Sequence, residues 1–222
     1  MSDTAHRIRA WDAAGQAAAQ LVRPGDRVGL GTGRAAAAGI RALGRRVEAG
    51  LRCTGVPTGA ASTALAREAG IPVARLREPL AVAFDGADIV LPSGLAIKGA
   101  GGAMVRERLV AGRAARFVVL IDEPKLGGHL DEWGVLPVAV VPFAAALARD
   151  ALADLTPTRR PSRSDDGLVL LDLHPAPGGD WEALDARVRA VPGVVDTGLF
   201  RLVPGDVFVG MPDGSVRTLG GA

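Results

Sequence analysis

Tyrosine is absent from the 222 residues, cysteine occurs once, and aromatic residues make up 4% of the chain. A lone cysteine, Cys53, cannot close an internal disulfide, which fits a reducing compartment. It stands in an apolar stretch and reads as core filling rather than as a nucleophile. No apolar run reaches the roughly eighteen residues that a membrane helix needs. The opening MSDTAHRIRAWDAAGQ has no apolar segment of the kind a secretory signal carries. Together these absences predict a soluble, cytoplasmic protein with no membrane partner. A nucleic-acid partner is not expected either. The net charge is +2, the cations are scattered, and the densest cluster, Arg159, Arg160 and Arg163, has no aromatic residues among it. That cluster reads as solvated surface.

Lysine is scarce as well. Of 26 lysines and arginines, only Lys98 and Lys125 are lysine. In a chain that uses arginine almost everywhere else, these two positions suggest a need for a compact ammonium.

With 48% hydrophobic and 23% charged residues, the chain has the composition of one large or two small globular domains. Strand-like runs at 27–30, 51–56, 71–76, 80–84 and 116–121 alternate with helical stretches at 6–22, 34–43, 61–69 and 103–111. Residues 85–102 read as a long loop. Such alternation predicts a parallel sheet with right-handed crossovers, a Rossmann-like α/β domain. The pattern then changes. A strand at 135–141, a helix at 143–153, a polar hairpin-like stretch at 156–166, a strand at 168–173, a helix at 181–190 and a strand at 194–199 suit a ferredoxin-like α+β module. Segments at 206–209 and 216–219, around the turn Pro212-Asp213-Gly214, are placed back in the first domain. The predicted division is 1–130 plus 203–222 for the Rossmann-like domain, with 131–202 inserted.

Two places carry chemistry. The loop Gly29-Leu30-Gly31-Thr32-Gly33-Arg34-Ala35-Ala36 lies between a strand and a helix, where backbone N–H groups meet an anion. It also matches a loose dinucleotide pattern, but that reading needs a carboxylate at the end of the second strand. That strand ends Gly55-Val56-Pro57-Thr58, so a phosphate on a small ligand is the better reading. The second place runs from Asp85 and Asp88 through Lys98 and its glycine-rich segment to Glu107. Asp85 follows an apolar strand, at the edge where open α/β sheets bind ligands. Glu107 falls about one turn into the next helix, tilted back toward its N-terminus, with small Ala103 at i−4. Three carboxylates and a lysine are thus placed to converge beside backbone amides. Taken singly, Asp88 is a cap, Lys98 a surface residue and Glu107 a partner of Arg106 or Arg108.

These residues carry a resemblance to the A-type ribose-5-phosphate isomerases, over nearly the whole chain. It includes GLGTG at 29–33, GVPT at 55–58, LAREAGIP at 65–72, DGAD at 85–88, IKGAGGAMVRE at 97–107 and VVLIDEPKL at 118–126. LPVAVVPFA at 136–144, LDLH at 171–174 and PGVVDTGLF at 192–200 continue it. The resemblance implies the same two-module fold and an aldose–ketose isomerase that needs neither cofactor nor metal. It implies that Glu107 is the base moving a proton between C1 and C2, and that Asp85 serves ring opening and hydroxyl protons. Asp88 and Lys98 would hold and stabilise the enediolate beside the amides of Gly99, Ala100 and Gly101. Substrate binding would fall to Thr32, Gly33, Arg34, Ala35, Gly86, Ala87 and Lys125. The implied substrate is a sugar phosphate, and the implied assembly a homodimer or homotetramer, paired through the strand at 135–141 or the exposed face of the second module.

The chain also departs from the family. Ser-Thr usually follows GTG where Arg34-Ala35 stand here, the first helix often carries a lysine where Trp11 and Asp12 stand, and Ala100 replaces a glycine. These changes gather at the phosphate end. They keep open an isomerase of another phosphorylated or acidic sugar, and a catalytically silent sugar-phosphate binder. A nicotinamide dehydrogenase ranks last.

Overall fold

The structure, a computed structural model, describes residues 3–220. The chain runs through α1 (Asp3–Gln20), β1 (Arg27–Leu30), α2 (Arg34–Glu48), β2 (Thr54–Pro57), α3 (Ala60–Glu68) and β3 (Val82–Gly86). Two short strands, β4 (Ile89–Val90) and β5 (Leu95–Ile97), precede α4 (Met104–Ala111) and β6 (Phe117–Asp122). Then come β7 (Leu136–Val140), α5 (Ala145–Ala151), β8 (Thr158–Arg163), β9 (Val169–Leu173), α6 (Trp181–Arg189) and β10 (Val194–Thr197). The last strands are β11 (Leu199–Arg201), β12 (Val207–Gly210) and β13 (Val216–Thr218).

The six-stranded sheet has the order β13-β12-β6-β3-β1-β2, parallel except at the β13 edge. Its inner strands β3, β6 and β12 are largely apolar because a parallel sheet is covered on both faces. Val28, Leu30, Phe84, Val118 and Leu120 sit in one core cluster with Trp11, Ile40 and Leu43 from α1 and α2. As expected, the tail returns, with β12 beside β6. From β1 the chain moves outward to β2, then crosses back to β3 on the other side of β1. Strand order therefore reverses between β1 and β3, and a crevice opens beyond their carboxyl ends. Leu30 and Phe84 are register partners, so Gly31 and Asp85 emerge side by side, tied by Gly31 N–H to the Phe84 carbonyl at 2.9 Å.

The second module is a four-stranded antiparallel sheet, β10-β7-β9-β8, built in the order strand–helix–strand–strand–helix–strand. That is the ferredoxin-like arrangement the sequence predicts. Val138, Val140, Leu171, Leu173, Trp181 and Val188 fill its core. Pro161 lies on the β8 edge, where a missing N–H breaks no ladder. β7 is flanked on both sides and fully buried, so the expected pairing of subunits through 135–141 has no free edge to use.

Three other expectations change. The supposed loop 85–102 contains β4 and β5, which join β11 in a small third sheet. Strands this short leave no periodicity to read, and the turn at 91–95, with Leu91 N–H on the Leu95 carbonyl, folds them together. The expected strand 71–76 shrinks to a bridge between Gly55 and Val73, because Pro72 has no N–H and the residues beyond Val73 are largely solvent-facing. The expected strand 194–199 breaks at Gly198 into β10 and β11, which belong to different sheets. A Cβ at Gly198 would lie 2.2 Å from the Lys98 carbonyl oxygen, so only glycine lets β5 pass this close.

Candidate active site

Asp85 lies at the carboxyl end of β3, one residue before its last, at the switch point and is 2% exposed. Its Oδ1 accepts N–H bonds from Thr32 (3.0 Å) and Gly86 (2.7 Å), which aims Oδ2 inward. The approach is close enough that a Cβ on Gly31 would fall 2.1 Å from Asp85 Oδ1. Lys98 follows β5 and is fixed by its N–H bond to the Gly198 carbonyl at 2.8 Å. Its Nζ lies 3.0 Å from Asp85 Oδ2 and 3.1 Å from Glu107 Oε2, and it donates to the Gly86 carbonyl. All three side chains are buried. Glu107 lies in the first turn of α4 and is held there from both sides. Arg106 grips Asp166 through two bonds at 2.8 and 2.6 Å, and Arg108 grips Asp196 at 2.7 Å. Neither flanking arginine pairs with Glu107; both clamp α4 to the second module.

Burial and neighbouring charge set the protonation of this line. Burial raises Glu107, the Asp85 charge raises it further, and Lys98 pulls it back, leaving it at about 7. Burial also lifts the Asp85 carboxyl above its ordinary value, against the opposing pull of Lys98 and the Gly86 and Thr32 amides. At Lys98 burial works against the ammonium, but the two carboxylates outweigh it and hold the group above its ordinary value. The result is a permanent cation between two carboxylates, one of which changes protonation near neutral pH.

This line borders a cavity of about 210 Å³. Thr32, Gly33, Arg34, Ala35, Gly86, Ala87, Asp88, Lys98, Gly99, Ala100, Gly101, Glu107 and Lys125 line it, so every residue expected at the site reaches it except Asp85, which lies beneath, against Lys98. Asp88 accepts the Ala100 N–H through Oδ2 at 2.9 Å. Lys125 donates to the Ala87 carbonyl, and burial draws its ammonium below the ordinary value. The α2 N-terminus opens here without a side-chain cap, leaving its first N–H groups for a ligand. Thr32 faces the cavity with both polar groups engaged, the N–H on Asp85 and the hydroxyl 2.9 Å from Thr58 Oγ1.

The sequence model described as ribose 5-phosphate isomerase A (phosphoriboisomerase A) matches residues 54–214. The chain belongs to the ribose 5-phosphate isomerase A family. It is 43% identical over 220 residues to the "Ribose-5-phosphate isomerase A" of Thermomicrobium roseum, covering 93% of this chain and 92% of that protein. To the protein of the same name in Natronomonas pharaonis it is 44% identical over 211 residues, covering 90% and 92%. The solved ribose 5-phosphate isomerase A of Methanocaldococcus jannaschii superposes with a TM-score of 0.87 at 35% identity, covering 95% of this chain and 97% of that one. A D-ribose-5-phosphate isomerase solved in complex with phospho-erythronic acid also gives 0.87, at 29% identity and 99% coverage of both chains.

Two features of this family member lay outside the sequence reading. Arg160, placed on solvated surface, instead donates to the carbonyls of Gly99 (2.8 Å) and Ala100 (3.0 Å) while pairing with Asp172 at 2.6 and 2.9 Å. It braces the glycine segment from the second module. Its neighbours Arg159 and Arg163 are exposed, and only the alternation along β8 separates the three. The β8–β9 turn also reaches the first module, where Asp165 accepts the Ala60 N–H at 2.6 Å.

Proposed function

We propose that the protein interconverts D-ribose 5-phosphate and D-ribulose 5-phosphate through an enediolate. The observation that carries this is the buried Asp85–Lys98–Glu107 line bordering a cavity that Arg34 and Lys125 also line. Glu107 takes the proton from C2 of the open-chain aldose and returns it to C1. A carboxyl near 7 serves both directions, since a base poised at the working pH gives the best compromise between basicity and occupancy. As Glu107 becomes neutral it stops offsetting the Lys98 charge, at the moment negative charge appears on the substrate oxygen. The ammonium then serves the oxyanion without moving, and the nearby N–H groups of Gly99 and Gly101 add donors. Asp88, lining the cavity with one oxygen on the Ala100 N–H, has its other oxygen for a substrate hydroxyl. Asp85, beneath the cavity, orients Lys98.

The same reading covers the division into 1–130 plus 203–222 and 131–202, supported by the core cluster around Phe84 and Leu120, which draws on the first unit alone. It also covers a cytoplasmic homodimer or homotetramer, for which exposed Phe143 and Leu147 supply apolar surface. The decisive test is NMR of ribose 5-phosphate incubated with the protein in D2O. Ribulose 5-phosphate carrying solvent deuterium at C1 is the expected result. No turnover, or much faster turnover of another phosphorylated sugar in the same panel, would remove the proposed substrate.

A further inference from the structure

The arginines around this cavity differ in what holds them. Arg7 lies over the Trp11 ring at 5.4 Å but also pairs through Nε with buried Asp122 at 2.7 Å, Arg106 pairs with Asp166, and Arg160 with Asp172. Each is partly neutralised by its carboxylate. Arg34, the first residue of α2, is exposed and lines the cavity, and its guanidinium has no hydrogen bond or ion pair among the described residues. What it has is the Trp11 ring, 4.6 Å from Cζ to centroid. Trp11 is itself anchored in the core of α1 and α2 at 9% exposure, so the ring is a fixed platform.

A π face and a carboxylate hold a guanidinium in different ways. A carboxylate occupies two N–H donors and cancels the charge. A ring face attracts the cation from above and leaves the in-plane donors and the charge available. Arg34 is therefore oriented and still competent to bind an anion. Lys125 lines the same cavity, and the Arg34 charge is among the influences that lower its ammonium. Two cations lining one cavity favour an anionic ligand there.

We propose that Trp11 positions Arg34 as the specificity-determining clamp on the substrate's phosphate. The planar fork takes two phosphate oxygens, and the first N–H groups of α2 take the third. Trp11 touches no substrate; it acts through Arg34. This rests on the sugar-phosphate reading of the cavity.

The test measures KM and kcat for ribose 5-phosphate, and competitive inhibition by inorganic phosphate, in Arg34→Ala, Trp11→Leu, Trp11→Phe and the Trp11→Leu/Arg34→Ala double variant. Arg34→Ala is expected to raise KM and the phosphate inhibition constant together, at least tenfold, with the loss falling on KM rather than kcat. Trp11→Leu is expected to shift both at least threefold in the same direction. Trp11→Phe, which keeps a ring and more of the core volume than leucine does, falls between it and the parent. The double variant should be no worse than Arg34→Ala alone, because both substitutions remove one interaction. A phosphate constant within twofold of the parent in Arg34→Ala would overturn the clamp. Fully multiplicative losses in the double variant would overturn the role of Trp11. If the parent fails to turn over ribose 5-phosphate, the functional reading falls by itself. Calorimetric titration of the same variants with inorganic phosphate then decides the clamp, by the same ratio of dissociation constants.

Discussion

Replacing Glu107 by glutamine removes a proton acceptor and a titrating buried charge while keeping shape, so it separates two consequences of one environment. The carboxyl is raised from 4.5 to about 7, chiefly by burial. In the unfolded chain it loses its proton near the lower value and in the folded protein near the higher one. Between them the folded state holds the extra proton, and stability from this group is present in full below the unfolded pKa and lost as pH rises through the folded one. Integrating from pH 5 to pH 8 gives a loss of about 2–3 kcal/mol in the parent. Glutamine does not titrate, so the variant lacks this loss. At about 2–4 °C per kcal/mol for a chain of this size, the melting temperature of the variant relative to the parent should climb by roughly 5–10 °C over that pH range. Circular-dichroism melts at pH 5, 6, 7 and 8 measure it. A difference that stays flat with pH would refute the assignment of Glu107 as the neutral-pH titrating group. In the same samples kcat/KM should fall at least about a hundredfold, the usual scale for loss of a positioned base.

Lys98→Met leaves Asp85 and Glu107 buried without their cation, a defect worth about 3–5 kcal/mol. Urea titration should find it smaller at pH 5 than at pH 8, because protonation removes the unpaired charge; equal losses would count against the ion-pair geometry. Gly31→Ala drives a methyl into Asp85 Oδ1 and should destabilise by about 1–3 kcal/mol with loss of turnover, whereas retention of both would show that the β1–β3 crevice has slack. Arg160→Met frees the Gly99 and Ala100 carbonyls and strands Asp172, so thermal melts should register about 1–3 kcal/mol and turnover should drop with them.

The parallel domain and the ferredoxin-like module were legible because each strand of four or more apolar residues is bounded by glycine or proline, and each helix fills the gap a crossover needs. The line Asp85, Lys98, Glu107 was legible for a different reason: glycines between charged residues in an arginine-rich chain that kept lysine at two positions. What escaped the sequence is what depends on distance along the chain. β5 pairs with β11 across about a hundred residues, and the strands are too short to show a period. Arg160 braces a loop sixty residues upstream, and Trp11 meets Arg34 across a turn and a strand. Each is decided by topology, which brings together side chains whose local context is ordinary.

The contact between Gly31 and Asp85 also constrains how this site can drift. Any side chain at 31 displaces the carboxylate, and any smaller residue at 85 strips Lys98 of a counter-charge in a buried place. Each position therefore constrains the other: glycine at 31 leaves the room that the carboxylate at 85 needs. Position 34 is the reverse case: exposed, free of ion pairs, and leaning on a ring that asks only for a cation. On the clamp proposed above, substitution at 34 would change which anion is held without touching the contact between Gly31 and Asp85.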